Sequence, residues 1–107
     1  MPKRIWFKPD CIKWIREGIK TTTFRNTKRN GVYDVAKGSW FNATPIGLRL
    51  KLTPTNLMSG ENVINKHYEI EGQFKSPQEF RGWLEKVGLE LPTAGWLNEI
   101  KVLTRGE

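Results

Sequence analysis

Three kinds of chemically useful side chain stand close together in residues 18–25, Gly-Ile-Lys-Thr-Thr-Thr-Phe-Arg. Lys20 offers a compact cation that acts as a base once it loses its proton, and Thr23 offers a hydroxyl. Arg25 offers a planar fork that fits a phosphate group or the edge of a base. These residue types in this order make the segment a candidate site for recognising a phosphate or a base.

The local backbone decides whether these groups can meet. Side chains on a regular strand alternate between its two faces, so Thr21, Thr23 and Arg25 would share one face. Lys20 and Thr22 would share the other. Lys20 therefore reaches Thr23 only if it lies ahead of the strand, in a turn after the glycine, or at a β-bulge. A second interpretation stays open, because threonines favour ordinary strands and basic residues decorate exposed faces.

Hydrophobic periodicity predicts the elements that must position this segment. Apolar residues at helical spacing predict three helices, over residues 11–17, 61–70 and 76–88. We expect Asp10 to cap the first and Ser76 the last, with Glu79 completing a capping box. Alternating or β-branched runs predict strands over residues 21–25, 39–44, 48–53 and 96–103, with Pro54 ending the third and residues 26–31 forming a loop. Helices inserted among strands without regular alternation indicate a single α+β domain over residues 1–107.

The net charge of +7 is concentrated at the start of the chain. Residues 1–30 contain nine lysines and arginines and two acids, whereas the rest of the chain is balanced. A field concentrated in this way attracts polyanions to one surface, although a basic chain can also simply be kept soluble by its charge. The candidate contacts to nucleic acid are Lys8, Arg16, Lys20, Arg25, Lys28, Arg29 and Trp40.

Composition also limits the classes of function. Cys11 and His67 are the only cysteine and the only histidine, so an internal disulfide and a Cys/His zinc site are excluded within one chain. We expect no metal and no cofactor. No apolar run approaches the roughly 20 residues that span a bilayer, and the first residues lack a signal-peptide pattern, so we expect a cytoplasmic protein. The oligomeric state stays open.

The aromatic residues divide into two groups. Trp14, Phe80 and Trp83 stand on apolar helix faces and are predicted to lie in the core. Trp6 and Trp40 stand among basic and polar residues, where an exposed ring would stack on an unpaired base or a buried one would help to build a small core.

The motif Gly-x-Lys-Thr-x-Thr-x-Arg after a short helix resembles the signature of the ASCH family, small domains related to the PUA fold. That family usually has a second helical stretch ending in Glu-Gly, followed by a Ser-x-x-Glu helix start. This chain has Glu71-Gly72 and then Ser76-Pro-Gln-Glu79 in the same order. The resemblance spans most of the chain, from about residue 10 onward.

The resemblance implies a fold and a ligand. The fold is a small PUA-like β-barrel with a mixed sheet and two or three short helices, and the lysine motif lies beside its cleft. The ligand that it implies is RNA or a nucleotide. Under this interpretation the basic residues of the first 30 positions hold phosphates and the cleft between Lys20 and Arg25 recognises a base. Such affinity falls steeply with salt.

Some ASCH-family members of similar size resemble amidohydrolases that remove the acetyl group from N(4)-acetylcytidine. By position in the motifs, their catalytic lysine, threonine and glutamate correspond to Lys20, Thr23 and Glu71. Thr23 would attack the acetyl carbonyl, Lys20 would take the proton, and Glu71 would protonate the departing cytidine. Turnover would then depend only weakly on salt.

Two further classes stay open behind these. A protein-interaction domain would show neither salt-dependent binding of RNA nor turnover of N(4)-acetylcytidine. A ribonuclease is also conceivable, but the sequence shows no two-carboxylate metal site and no histidine pair to support one. The basic loop that carries Lys28 and Arg29 suits a phosphate backbone better than a free nucleoside. The sequence therefore favours a binding module for RNA or a nucleoside, with the amidohydrolase as the main alternative.

Overall fold

The computed structural model describes residues 3–37 and 44–105. Within these ranges the chain forms five strands and four helices. The strands are β1 (Lys3–Trp6), β2 (Thr22–Arg25), β3 (Gly31–Lys37), β4 (Thr44–Ser59) and β5 (Ala94–Thr104). The helices are α1 (Pro9–Arg16), α2 (Gly60–Lys66), α3 (Tyr68–Glu71) and α4 (Pro77–Val87).

The strands form one mixed sheet in the order β1-β3-β4-β5-β2. The β1–β3 pair is parallel and the other pairs are antiparallel. The α+β class and the mixed sheet are therefore confirmed, but the described strands leave the sheet open, where a barrel was expected. The two edges, β1 and β2, are joined by one side chain, because Arg25 Nη2 donates to the Trp6 carbonyl at 2.9 Å.

The long strand β4 supplies the centre of the sheet. Leu48, Leu50 and Leu52 alternate with exposed residues and are almost fully buried, as the period of two predicts. The expectation that Pro54 ends this strand is wrong, since β4 continues to Ser59 through an irregularity between residues 54 and 56. Beyond residue 52, β4 pairs only with β5, so the proline lies at a sheet edge, where its missing N–H is tolerated.

Two strands were not predicted from the sequence. In β1, Ile5 is the only buried residue among basic neighbours. In β3, a register shift after Asp34 places Val35 and the next residue in the core together, which breaks the alternation. The strand predicted over residues 39–44 lies outside the described residues except for Thr44, where β4 begins. Trp40 lies outside them as well.

The helices follow the predicted pattern with local changes. Helix α1 begins at Pro9, with Lys8 as its N-cap, so Asp10 is not the cap. The single helix predicted over residues 61–70 divides at His67 into α2 and α3, which raises the helix count to four. Helix α4 is capped by Ser76, whose Oγ accepts from the backbone N–H of Glu79 at 3.2 Å. None of the helices in the described ranges is long and apolar enough to cross a membrane.

Helix α1 lies between two hydrophobic clusters. The first cluster packs α1, α2 and α4 against β2 and β5, and it includes Trp14, Phe24, Phe80 and Leu97. The second packs the other side of α1 against the rest of the sheet and includes Ile15. The first cluster fixes the helices that carry the candidate site.

Gly72 allows the chain after α3 to pass directly against the first cluster. A Cβ atom at this position would lie 2.6 Å from Phe74 Cε2 and 2.8 Å from Trp14 Cζ3, well inside van der Waals contact. Both rings belong to a packed aromatic group, with centroids 5.2 Å apart, and have little room to move. The glycine therefore sets the position of the preceding residue, Glu71.

We expect Gly72→Ala to lower the free energy of unfolding by about 1–3 kcal/mol, because the added methyl overpacks this contact. Urea unfolding followed by circular dichroism measures the change. The matched control is Gly82→Ala in α4, where an added Cβ meets nothing within 4 Å. That control should instead stabilise the helix by about 0.5–1 kcal/mol. Equal midpoints for Gly72→Ala and the parent protein would contradict the packing argument.

Candidate functional site

A cavity of about 420 Å³ lies where β2, the start of α1, α3 and α4 meet. Its polar lining comprises Lys20, Thr23, Arg25 and Glu71, together with the thiol of Cys11. Its apolar walls comprise Trp6, Phe7, Phe24, Phe80, Trp83 and Leu84. Exposed Lys8 and residues 89–92 complete the rim. A volume of this size is in the usual range for small-ligand pockets.

A buried ion pair forms the polar centre of this cavity. Lys20 Nζ donates to the backbone carbonyl of Glu71 at 2.9 Å and lies 3.5 Å from Glu71 Oε1. Each side chain is only 5% exposed. Removing two charges from water is costly, so the pair is tolerated only because each charge has a partner in contact.

The turn after α1 places Lys20 ahead of β2. Gly18 has a φ of 78°, in the left-handed region that favours glycine. The backbone N–H groups of Ile19 and Lys20 then both donate to the Trp14 carbonyl, at 2.8 and 3.1 Å. Because β2 begins only at Thr22, Lys20 escapes the alternation of the strand. This is the first of the two arrangements that the sequence left open.

Thr22 holds the other side of the Glu71 carboxylate. Its Oγ1 lies 2.5 Å from Glu71 Oε2 and 3.2 Å from the Ile70 carbonyl. The backbone N–H of Thr21 also donates to that carbonyl, at 2.9 Å, which ties α3 to the start of β2. Thr22 was not among the predicted site residues, although strand alternation had already put it on the same face as Lys20.

Thr23 and Arg25 form a second polar group in the cavity. Arg25 Nε donates to Thr23 Oγ1 at 3.1 Å, and the guanidinium stands 5.0 Å from the centre of the Phe7 ring. Burial, reinforced by the positive charge of Arg29, lowers the pKa of Arg25 from its ordinary value, while Glu71 opposes the shift. Among the described residues, no hydrogen bond joins Lys20 to Thr23. The lysine, threonine and glutamate of the predicted triad nonetheless line one cavity.

Cys11 is a neutral thiol in this setting. Burial is the largest influence and raises its pKa above the ordinary value, while the nearby Lys20 ammonium works in the opposite direction. A neutral thiol is a weak nucleophile and a weak metal ligand. Within residues 3–37 and 44–105, no group of three or more histidine, cysteine or acidic side chains is arranged to hold a metal ion.

The predicted nucleic-acid contacts do not all converge on the cavity. Lys8, Lys20 and Arg25 line it, but Arg16, Lys28 and Arg29 do not. Arg16 Nε donates to the Arg105 carbonyl at 2.9 Å, on another side of α1. Lys28 is exposed and covers the ring of Trp96 at 4.5 Å.

Asn98 is a second residue that sequence reasoning missed. Its side chain is fully buried and donates to the carbonyls of Thr23 and Trp96, at 3.3 and 3.1 Å. Its Oδ1 accepts from the backbone N–H of Arg29 at 2.9 Å. The residue thereby fastens the basic loop to β2 and β5. The available signal was an amide inside the otherwise strand-forming run of residues 96–103.

The sequence matches no family model and no curated protein. Solved structures with a similar fold include a protein from Enterococcus faecalis V583 assigned to the family model DUF984. It shares 14% identity with a TM-score of 0.56, over 97% of this chain and 81% of that one. They also include the ASCH domain from Lactobacillus crispatus JV V101, with 16% identity and a TM-score of 0.55, over 95% of this chain and 79% of that one. The chain therefore has the fold of an ASCH domain.

Proposed function

We propose that the cavity binds a single nucleobase, presented by a nucleoside or by an unpaired nucleotide of RNA. The observation that carries this proposal is the buried Lys20–Glu71 pair, 3.5 Å apart, inside an aromatic-walled cavity of about 420 Å³. Both residues line that cavity, so a ligand that enters it meets the pair.

The pair offers a donor next to an acceptor. Lys20 Nζ has three N–H groups, of which one donates to the Glu71 carbonyl. The Glu71 carboxylate has about four acceptor positions, of which Thr22 occupies one, and Lys20 Nζ lies in ion-pair contact with the other oxygen at 3.5 Å. Both partners therefore retain capacity for a ligand. A base edge that carries an exocyclic amino group beside a ring nitrogen is complementary to this arrangement.

The walls suit a flat ring. Trp6, Phe7, Phe80 and Trp83 line the same cavity, and stacking of a base on an aromatic side chain contributes about 1–3 kcal/mol. The rim carries one exposed charge of each sign, on Lys8 and Glu90, and Lys8 offers a cation to a ribose or phosphate that leaves the pocket. The similarity to solved structures with the ASCH-domain fold covers 95–97% of this chain and concerns the fold alone.

Titration with cytidine, uridine, adenosine and guanosine, followed by tryptophan fluorescence, tests base binding. We expect Glu71→Gln to weaken the preferred nucleoside on the order of tenfold to a hundredfold, because an acceptor charge is lost from a hydrogen bond to the base. The matched control, Glu61→Gln, removes an exposed acid paired with Arg81 and should leave the affinity unchanged. Thermal unfolding of each variant accounts for any loss of folded protein.

Absence of binding by all four nucleosides and by a short single-stranded RNA would refute base binding. Affinity for RNA that exceeds nucleoside affinity and falls steeply with salt would assign RNA as the carrier of the base. Nucleoside affinity that hardly changes with salt would assign a free nucleoside.

A second candidate function is hydrolysis of N(4)-acetylcytidine. The observation that favours it is the shared cavity of the Lys20 amine, the Thr23 hydroxyl and the Glu71 carboxylate. Lys20 would first give a proton to the Glu71 carboxylate, and Thr23 Oγ1 would then add to the acetyl carbonyl while its proton passes to the neutral Lys20 amine. The C–N bond would then break as cytidine N4 takes the proton that Glu71 had received from Lys20. Water would finally cleave the acetyl ester to release acetate and restore the hydroxyl.

The Arg25–Thr23 contact supports this chemistry. A guanidinium N–H that donates to Thr23 Oγ1 at 3.1 Å stabilises negative charge that develops on that oxygen. In the resting arrangement Lys20 and Glu71 are an ion pair 3.5 Å apart, so a proton must pass from Lys20 to Glu71 before the attack.

We expect Thr23→Val to abolish the conversion of N(4)-acetylcytidine into cytidine and acetate, measured by liquid chromatography, because the nucleophilic oxygen is removed. The matched control, Thr53→Val, replaces an exposed threonine on β4 and should retain full turnover. Retained turnover in Thr23→Val would exclude Thr23 as the nucleophile. No turnover by the parent protein would refute the hydrolysis proposal, and the nucleoside titration alone would then decide the function of the cavity.

A further inference from the structure

Arg25 is a half-buried cation whose contacts are all neutral. Its guanidinium donates to Thr23 Oγ1 and to the Trp6 carbonyl and stands against the Phe7 ring. The described residues contain three ion pairs, namely Lys20–Glu71, Arg49–Asp34 and Arg81–Glu61, and none involves Arg25. A cation that has lost much of its hydration without gaining an acidic partner is an expensive arrangement in a small protein.

The neighbouring acid is already engaged. Glu71 is the acid that acts favourably on Arg25, but its carboxylate contacts Lys20 and Thr22. The cavity lining therefore contains two enclosed cations, Lys20 and Arg25, for one enclosed carboxylate. Arg29 adds a further positive charge close enough to act on Arg25.

The guanidinium also has unused donors. An arginine carries five N–H groups, and the two hydrogen bonds that Arg25 makes leave three without a partner among the described residues. Its Nε and Nη2 are fixed by those two bonds, so the fork is held in one orientation at the cavity. A fixed guanidinium with free N–H groups is preorganised for an oxyanion.

We propose that Arg25 binds a phosphate group of the ligand, so that the cavity takes a nucleotide in preference to a nucleoside. This inference rests on the proposed function, in which the Lys20–Glu71 pair recognises the base. The phosphate supplies a negative charge to the enclosed part of the lining, where Lys20 and Arg25 face the single carboxylate of Glu71. It belongs either to a nucleoside monophosphate or to a phosphodiester of RNA, which offer the same oxyanion to the guanidinium.

Isothermal titration of the folded protein with cytidine, cytidine 3′- and 5′-monophosphate, a short single-stranded RNA and inorganic phosphate tests the inference. We expect at least one phosphorylated ligand to bind about tenfold to a hundredfold more tightly than cytidine, the range for a charge-assisted hydrogen bond. A monophosphate that equals the RNA would assign a mononucleotide. A clear advantage of the RNA would assign a phosphodiester.

In the Arg25→Gln variant the affinities for the phosphorylated ligand and for cytidine should differ by no more than about threefold, since the charged fork is lost. Arg49→Gln is the matched control, because Arg49 lies on β4 and pairs with Asp34, and it should keep the full preference. If Arg25→Gln does not fold, the parent protein still decides the matter through the ratio of its affinities for nucleotide and nucleoside.

Two outcomes separate the inference from the function on which it rests. Equal affinity of the parent protein for cytidine and all its phosphorylated forms would overturn the phosphate site and leave base binding intact. Inorganic phosphate that binds as tightly as the monophosphates and the RNA, or no binding at all, would overturn base binding and the nucleotide inference together.

Discussion

The contact between Lys20 and Glu71 joins two parts of the chain that are 51 positions apart, in a region almost closed to water. Neither charge is tolerable there alone, because an unpaired ion in a low-dielectric interior loses its hydration without compensation. The turn after α1, the short helix α3 and the start of β2 must therefore be correct at the same time. Thr22 extends this constraint to the second oxygen of the carboxylate.

The fold places aromatic packing directly behind this polar pair. Trp14 lies near the end of α1, its carbonyl accepts from the backbone N–H groups of Ile19 and Lys20, and its ring packs against Phe74. Gly72 removes the side chain that would otherwise separate these rings from the backbone after α3. The motif glycine next to the acid is thus explained by close packing of backbone against indole, and the acid by the ion pair.

The motifs in the sequence predicted residues that now line one cavity, but not all of the contacts among them. Lys20, Thr23, Arg25 and Glu71 were chosen from the motifs, and all four line the cavity. The hydroxyl that donates to the carboxylate is that of Thr22, and the motif marks the threonines on either side of it instead. Arg16 was included for its charge alone, and tertiary packing turned its side chain toward backbone carbonyls elsewhere.

The fold was predictable where one period dominated, and not elsewhere. The leucines of β4 and the capped helix α4 have clear periods and appear as expected. Strand β3 was not predicted because its bulge points two consecutive residues into the core. Strand β1 was not predicted because four residues are too few to show a periodic pattern. Periodicity in a single sequence does not predict whether the sheet is open or closed into a barrel, because closure depends on whether strands distant in sequence pair with each other.

Helix α1 contributes to both hydrophobic clusters, with Trp14 in one and Ile15 in the other. Neither cluster can come apart without exposing apolar surface on the same eight-residue helix, so the two are thermodynamically coupled. The molecule should accordingly melt as one cooperative unit and not as separate halves. Any molecule held by the cavity, which borders this helix, would then protect the distant half of the sheet from unfolding as well.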